Sequence, residues 1–254
     1  MDQYPERPAT VGSADGRRRA VIRVLLGTAA VSYNDWVLEF LLPTGLAPAN
    51  SYVSELYAAD QPFRRLFASI EVTTATLVTT GALLAVRAAG TAGVRSAEAA
   101  RAARTARGGW WAMVGFGLCS AADVALPMSC APSVEPGCEA VHPWHTLTSA
   151  LVHFFLFLSM ALLILAARRS TGTSTGTGGL PELAAIGRWG PWLLPTAMAA
   201  AIATVGPLLG HPGGQGIPQR IHLLLVGVWL AMLAAAAPRS APRLNSPTRT
   251  SART

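Results

Sequence analysis

The residues able to do chemistry in this chain are few, and they sit inside apolar runs. Asn34, Asp35 and Glu39 interrupt the first run, Glu71 the second and Asp123 the third. His145 and His153 lie in the fourth, and Arg220 and His222 open the sixth. Ionisable groups in membrane-length apolar segments are costly, so they face a cavity or pair with one another. Asp35 and Glu39 are four apart, which on an α-helix puts both carboxylates on one face and calls for a nearby cation. Arg220 is the best candidate for that cation. Two readings stay open: a carboxylate–arginine cluster that fixes helix packing, or a working polar site.

The histidines raise the question of a metal. His142 and His145 are three apart in His-Pro-Trp-His and could ligate together, with Asp123 and His222 completing a zinc set from other helices. His145 and His153 are eight apart, about 12 Å of helical rise, whereas metal–nitrogen bonds are only about 2 Å. One ion would hold both only with strained reach. There is no His-x-x-x-His pair, so zinc competes with satisfied buried histidines and with proton handling. If a metal were present, the expected chemistry is hydrolysis of an outer-leaflet lipid, with Glu71 or Glu55 as base. Ser54 is a candidate nucleophile without a supporting motif; Ser51 or Ser54 is better placed to cap a short helix ending near Asp60. The chain contains no Walker loop, dinucleotide fingerprint, Gly-x-Ser-x-Gly or zinc-protease helix, so soluble nucleotide chemistry is not expected.

Composition says what must position these residues. Of 254 residues, 51% are hydrophobic and 13% charged, against about 25% charged in soluble domains. That excludes a disordered chain and argues against a large water-covered enzyme. The expected fold is an all-α polytopic membrane bundle of six transmembrane helices, near 20–42, 66–86, 109–127, 145–167, 190–210 and 218–237. Each run is about 20 residues, enough to cross a core of about 30 Å, and none alternates as a barrel strand would. The membrane domain is then 20–237, flanked by disordered cytoplasmic segments 1–19 and 238–254. Residues 88–108, Ala- and Arg-rich, are expected to be helical and to lie near headgroups, and 170–179 to form a flexible linker.

All 20 basic residues are Arg, and 17 of them fall in one alternate set of segments; only Arg64, Arg65 and Arg220 fall in the other. The positive-inside rule then places both termini in the cytoplasm and the protein in the plasma membrane. The same distribution explains the net charge of +7 without nucleic acid as a partner; membrane lipids, and a small-molecule or lipid ligand, are the expected partners. Arg17–Arg19 followed by an apolar run to Val31 also resembles a cleaved signal, but the run continues to Leu42. With this topology every intramembrane polar residue falls in the outer half of its helix, helix five having none. Trp110, Trp111, Trp144, Trp189 and Trp192 fall near helix ends, as an interfacial belt requires. Cys130 and Cys138 share one outside loop with turn-forming Pro132, Pro136 and Gly137, and are expected to form a disulfide. Cys119 reads as a small apolar packing residue.

Several stretches together resemble a known family. Asn-Asp-Trp-Val-Leu-Glu from Asn34, Tyr-Val-Ser-Glu-Leu-Tyr-Ala-Ala-Asp-Gln-Pro from Tyr52, Ala-Asp-Val-Ala-Leu-Pro-Met-Ser-Cys-Ala-Pro-Ser from Ala122, and His-Thr-Leu-Thr-Ser from His145 are similar to the domain of unknown function 998 family in its actinobacterial form. The resemblance covers roughly 20–237. It implies a six-helix membrane bundle and carries over Asp35, Ser54, Glu55, Asp123, Cys130, Cys138 and His145 as typical positions, but it implies no activity. A remoter analogy is to alkaline-ceramidase-type membrane hydrolases, from which this chain departs in lacking histidines four apart and a seventh helix. Three functions are therefore carried forward: an outward-facing pocket that binds or moves a small molecule or lipid, a metal-dependent lipid hydrolase, and a non-catalytic membrane partner subunit.

Overall fold

The computed structural model describes residues 11–89, 96–139, 141–171, 180–211 and 213–238. Among them the chain is all α-helical, with six α-helices: α1 Val11–Ser32, α2 Arg64–Ala88, α3 Ala97–Ala125, α4 Pro143–Thr171, α5 Ala184–Ile202 and α6 Gly216–Ala235. Short 3-10 turns punctuate them at Asp35–Phe40, Val53–Tyr57, Pro181–Leu183 and Gly206–Leu209. Residues 1–10, 172–179 and 239–254, which include most of the expected tails and linker, lie outside the described residues.

Three helices are long and apolar enough to cross a membrane: α2, α4 over Pro143–Ser170, and α6. The other three fall short of that measure, and their bounds differ from the expected runs. The apolar run expected at 20–42 is not one α-helix. The α-helix stops at Ser32, where Asn34 donates to the Ala30 carbonyl at 3.1 Å and accepts the Trp36 indole N–H at 3.2 Å, and the chain tightens into the Asp35–Phe40 turn. At its other end α1 begins at Val11, well inside the segment expected to be disordered. The Ala/Arg-rich stretch before helix three is helical and continuous with it: Ser96 caps α3 by accepting the Ala99 N–H at 3.1 Å. Helix α5 ends at Ile202, short of the expected 210, and carries Pro191 and Pro195, whose missing N–H groups each remove one helical hydrogen bond.

The helices pack on their neighbours in chain order, and α6 closes the ring against α1. Helices α3 and α4 approach closely: a Cβ on Gly115 would lie 2.6 Å from Phe155 Cδ1, and one on Gly109 would lie 2.6 Å from Leu163 Cγ, so these glycines let the backbones close together. The main core runs through the bundle and includes Ile22, Leu26, Val78, Met113, Leu163, Ile186 and Trp229. Trp110, expected in an interfacial belt, is in this core at 1% exposure; Trp111, Trp144, Trp189 and Trp192 are exposed. A second, smaller core of Trp36, Leu46, Val53, Leu56, Tyr57, Phe67 and Ala131 caps one end. The polar residues singled out above lie about this capped end.

Candidate functional site

The cap is fastened first. Glu55 accepts the Tyr52 N–H at 2.7 Å and, from another loop, the Ser133 N–H at 3.0 Å and hydroxyl at 2.6 Å. Its carboxylate therefore closes the Val53–Tyr57 turn and ties it to the Cys130–Cys138 loop. Neither Ser51 nor Ser54 caps that turn; the Ser54 hydroxyl meets Met128 Sδ at 3.4 Å and, among the described residues, contacts no base that would make it a nucleophile. Gln219 accepts the Val53 N–H at 2.7 Å, and the Tyr52 hydroxyl donates to the Thr204 carbonyl at 2.8 Å. Burial, followed by the charge of Glu55, pushes the Tyr52 phenol up to about 12.

Glu39 and Arg220 form the cation–carboxylate pair expected from sequence. Arg220 donates from Nε to Oε1 and from Nη2 to Oε2, both at 2.6 Å, and the two residues are 6% and 5% exposed. Its Nη1 donates to the carbonyls of Ser51 (3.1 Å) and Gly216 (3.0 Å). Asp35 does not share this cation. On a 3-10 turn residues four apart no longer stack on one face, and both Asp35 oxygens are buried without a hydrogen-bond partner among the described residues.

Asp123 is the hub of a second cluster. It accepts the Tyr57 hydroxyl on Oδ2 at 3.1 Å, and the Thr148 and Ser149 hydroxyls on Oδ1 at 2.6 and 2.8 Å. His145 Nδ1 stands 3.3 Å from Oδ1, at ion-pair distance but not aligned for a hydrogen bond. Burial, then the charge of Asp123, pushes the Tyr57 phenol well above its ordinary range, so it stays a donor. Sequence reasoning found Asp123 and His145 but not their partners. The available signal was spacing: Thr148 and Ser149 follow His145 by three and four, on the same helical face.

His153 and His222 stack with ring centroids 5.0 Å apart. His153 Nδ1 lies 2.7 Å from the Ser149 carbonyl and His222 Nδ1 3.0 Å from the Ala197 carbonyl. A carbonyl only accepts, so each Nδ1 carries the proton.

The residues proposed from sequence as a metal set are thus divided three ways. Asp123 and His145 are neighbours; His222 belongs to the histidine stack; His142 sits by the loop disulfide, with Nδ1 3.3 Å from Ser129 Oγ and Nε2 4.0 Å from Cys138 Sγ. Cys130 and Cys138 do form that disulfide, with Cα atoms 6.1 Å apart. Among the described residues, Cys130, Cys138 and His142 bring metal-ligand atoms within 4.8 Å of one another, but both sulfurs are spent in the disulfide. Cys119 is free and half-buried.

A cavity of about 400 Å³ lies against both clusters. Its polar wall includes Tyr33, Ser54, Glu71, Asp123, His145 and His153; its apolar wall includes Val152, Phe157, Val205, Leu208 and Leu223. Asp35, Glu39, Glu55, Arg220 and His222 are outside the lining. Glu71 is half-buried and makes no hydrogen bond among the described residues.

Fold and site together define an all-helical protein with membrane-length apolar helices and a polar cavity beside one capped end. Residues 25–236 match the family described as Protein of unknown function (DUF998), and the chain belongs to it. No curated protein and no solved structure matches the chain.

Proposed function

We propose that residues 20–237 form a six-span bundle in the plasma membrane with both termini in the cytoplasm, and that the cavity opens outward to bind or move a small amphipathic molecule or a lipid. The arginine distribution supports the orientation. One observation carries the pocket: Glu71, Asp123, His145 and His153, which that orientation assigns to the outer halves of three different helices, line a single cavity. Its size lies within the range of about 300–1,000 Å³ usual for small-molecule sites, and its mixture of apolar wall and few polar groups is what such sites use to orient a ligand. The Glu39–Arg220 pair and the Glu55 fastening serve this cavity by holding its cap rigid.

Native mass spectrometry of the full chain in nanodiscs made from a total lipid extract tests the reading. The wild type should retain a specific small molecule or lipid, and Glu71→Gln and His145→Ala should lose it while unfolding at nearly the wild-type temperature. Identical, unselective lipid on all three proteins would refute it.

A further inference from the structure

The charges about the cavity do not balance. Asp123 has three hydroxyl donors and His145 beside it, and Glu39 has Arg220. Glu71 and Asp35 have no such partner. Asp35 is 7% exposed with both oxygens unpaired among the described residues, on the turn that packs against α2, the helix that carries Glu71. Glu71 and Tyr33 both line the cavity. No arginine lines the cavity, and the chain has no lysine. An ionised carboxylate out of water needs a counter-charge, and two adjacent ones need it more. Aromatic faces such as Tyr33 add attraction for a cation. The same cavity has an apolar wall that includes Phe157, Leu208 and Leu223.

We propose that the cavity takes an amphiphile bearing a protonated amine, its ammonium seated at Glu71 with Asp35 behind it and its apolar part along Phe157, Leu208 and Leu223. This deepens the pocket reading above and rests on it. The ammonium supplies three N–H donors and one positive charge, the complement of two acceptor-only carboxylates. The same headgroup chemistry belongs to a free amine and to an aminophospholipid. Protonation of the two acids is the competing way to remove their charge, and it would favour an uncharged ligand instead.

Calorimetric titration of the full chain in neutral maltoside micelles separates these cases, using hexylammonium, hexanol and hexanesulfonate as probes. Hexylammonium should bind at least about tenfold more tightly than the other two, as a charge-assisted contact requires. Glu71→Gln should erase that preference, and Asp35→Asn should reduce it. The comparison among probes on the wild type stands even if a variant fails to fold. Adding phosphatidylethanolamine, but not phosphatidylglycerol, should displace hexylammonium if the ligand is a lipid headgroup; no displacement by either assigns the site to a free amine. Hexanol or hexanesulfonate binding as tightly as hexylammonium would overturn the charge inference and leave the pocket standing. No binding by any probe would overturn the pocket reading itself.

Discussion

Replacing Glu39 with Gln takes away the charge that faces Arg220 through two 2.6 Å hydrogen bonds. Both side chains are nearly enclosed, so solvent screens the pair little, and breaking a buried pair by removing one partner costs about 3–5 kcal/mol. Glu39→Gln should sit at the lower end, about 3 kcal/mol. The amide still accepts one hydrogen bond, and Arg220 keeps the Ser51 and Gly216 carbonyls and the Trp36 ring 5.9 Å away. Arg220→Met should cost more, about 4–5 kcal/mol, because it strands Glu39 and releases the Ser51 carbonyl that fastens the loop between α1 and α2 to α6. Replacing both, Glu39→Gln with Arg220→Met, removes two charges at once and should cost less than the two single changes summed. Reversible unfolding in mixed micelles, followed by helical circular dichroism, yields the double-mutant cycle. A coupling of at least about 2 kcal/mol is expected, changing little with salt. Single costs below about 1 kcal/mol, or a double variant equal to the sum of the singles, would refute the reasoning.

Three further outcomes follow from the same geometry. Asp123→Ala leaves the Tyr57 and Ser149 hydroxyls without their acceptor, while Thr148 keeps the Trp144 and His145 carbonyls, and should cost about 2 kcal/mol at about 1 kcal/mol for each stranded donor, measurable by the same unfolding assay; His145→Ala should cost clearly less while still abolishing ligand retention. The Cys130–Cys138 bond closes a loop of sequence separation 8, so Cys130→Ser should lower stability by about 2.5 kcal/mol, and thiol titration of the unfolded wild type should find one free thiol before reduction and three after. The Tyr52 phenol is raised from 10.0 to about 12, so the folded state holds this proton more tightly than the unfolded one; its contribution is complete below pH 10 and is lost as pH rises toward 12. Ultraviolet tyrosinate titration of wild type against Tyr52→Phe checks this.

The Glu39–Arg220 pair was legible because an arginine apart from the seventeen of the alternate segments, beside buried acids, has few ways to be satisfied. The disulfide was legible for a similar reason, both cysteines lying in one turn-rich loop. The end of α1 was hidden. Val37, Leu38, Phe40 and Leu41 prolong the apolar run past Ser32, while the break depends on which groups the Asn34 side chain reaches, a tertiary matter that hydropathy does not carry. The same holds for α5, where apolar Val205, Leu208 and Leu209 continue beyond the helix as a 3-10 turn. The hydroxyls on Asp123 were missed because a Thr or Ser in an apolar helix ordinarily bonds its own preceding turn, and only the neighbouring helix reveals another use. The proposed metal set dispersed because it was assembled from the spacing of His142 and His145 and from expected depth: His142, His145 and His222 face a disulfide, a carboxylate and a second imidazole.

The most direct test of an outward-open amphiphile pocket is the sidedness of a thiol placed in its wall. Val152 lines the cavity and is buried from the rest of the surface. In a Cys119→Ala background, Val152→Cys in intact cells should react with a membrane-impermeant thiol reagent added outside, and hexylammonium should protect it. Arg101→Cys, on the exposed N-terminal part of α3, should react only after the membrane is opened. Val152→Cys that stays unmodified from outside, or reacts only once the membrane is opened, would contradict the account.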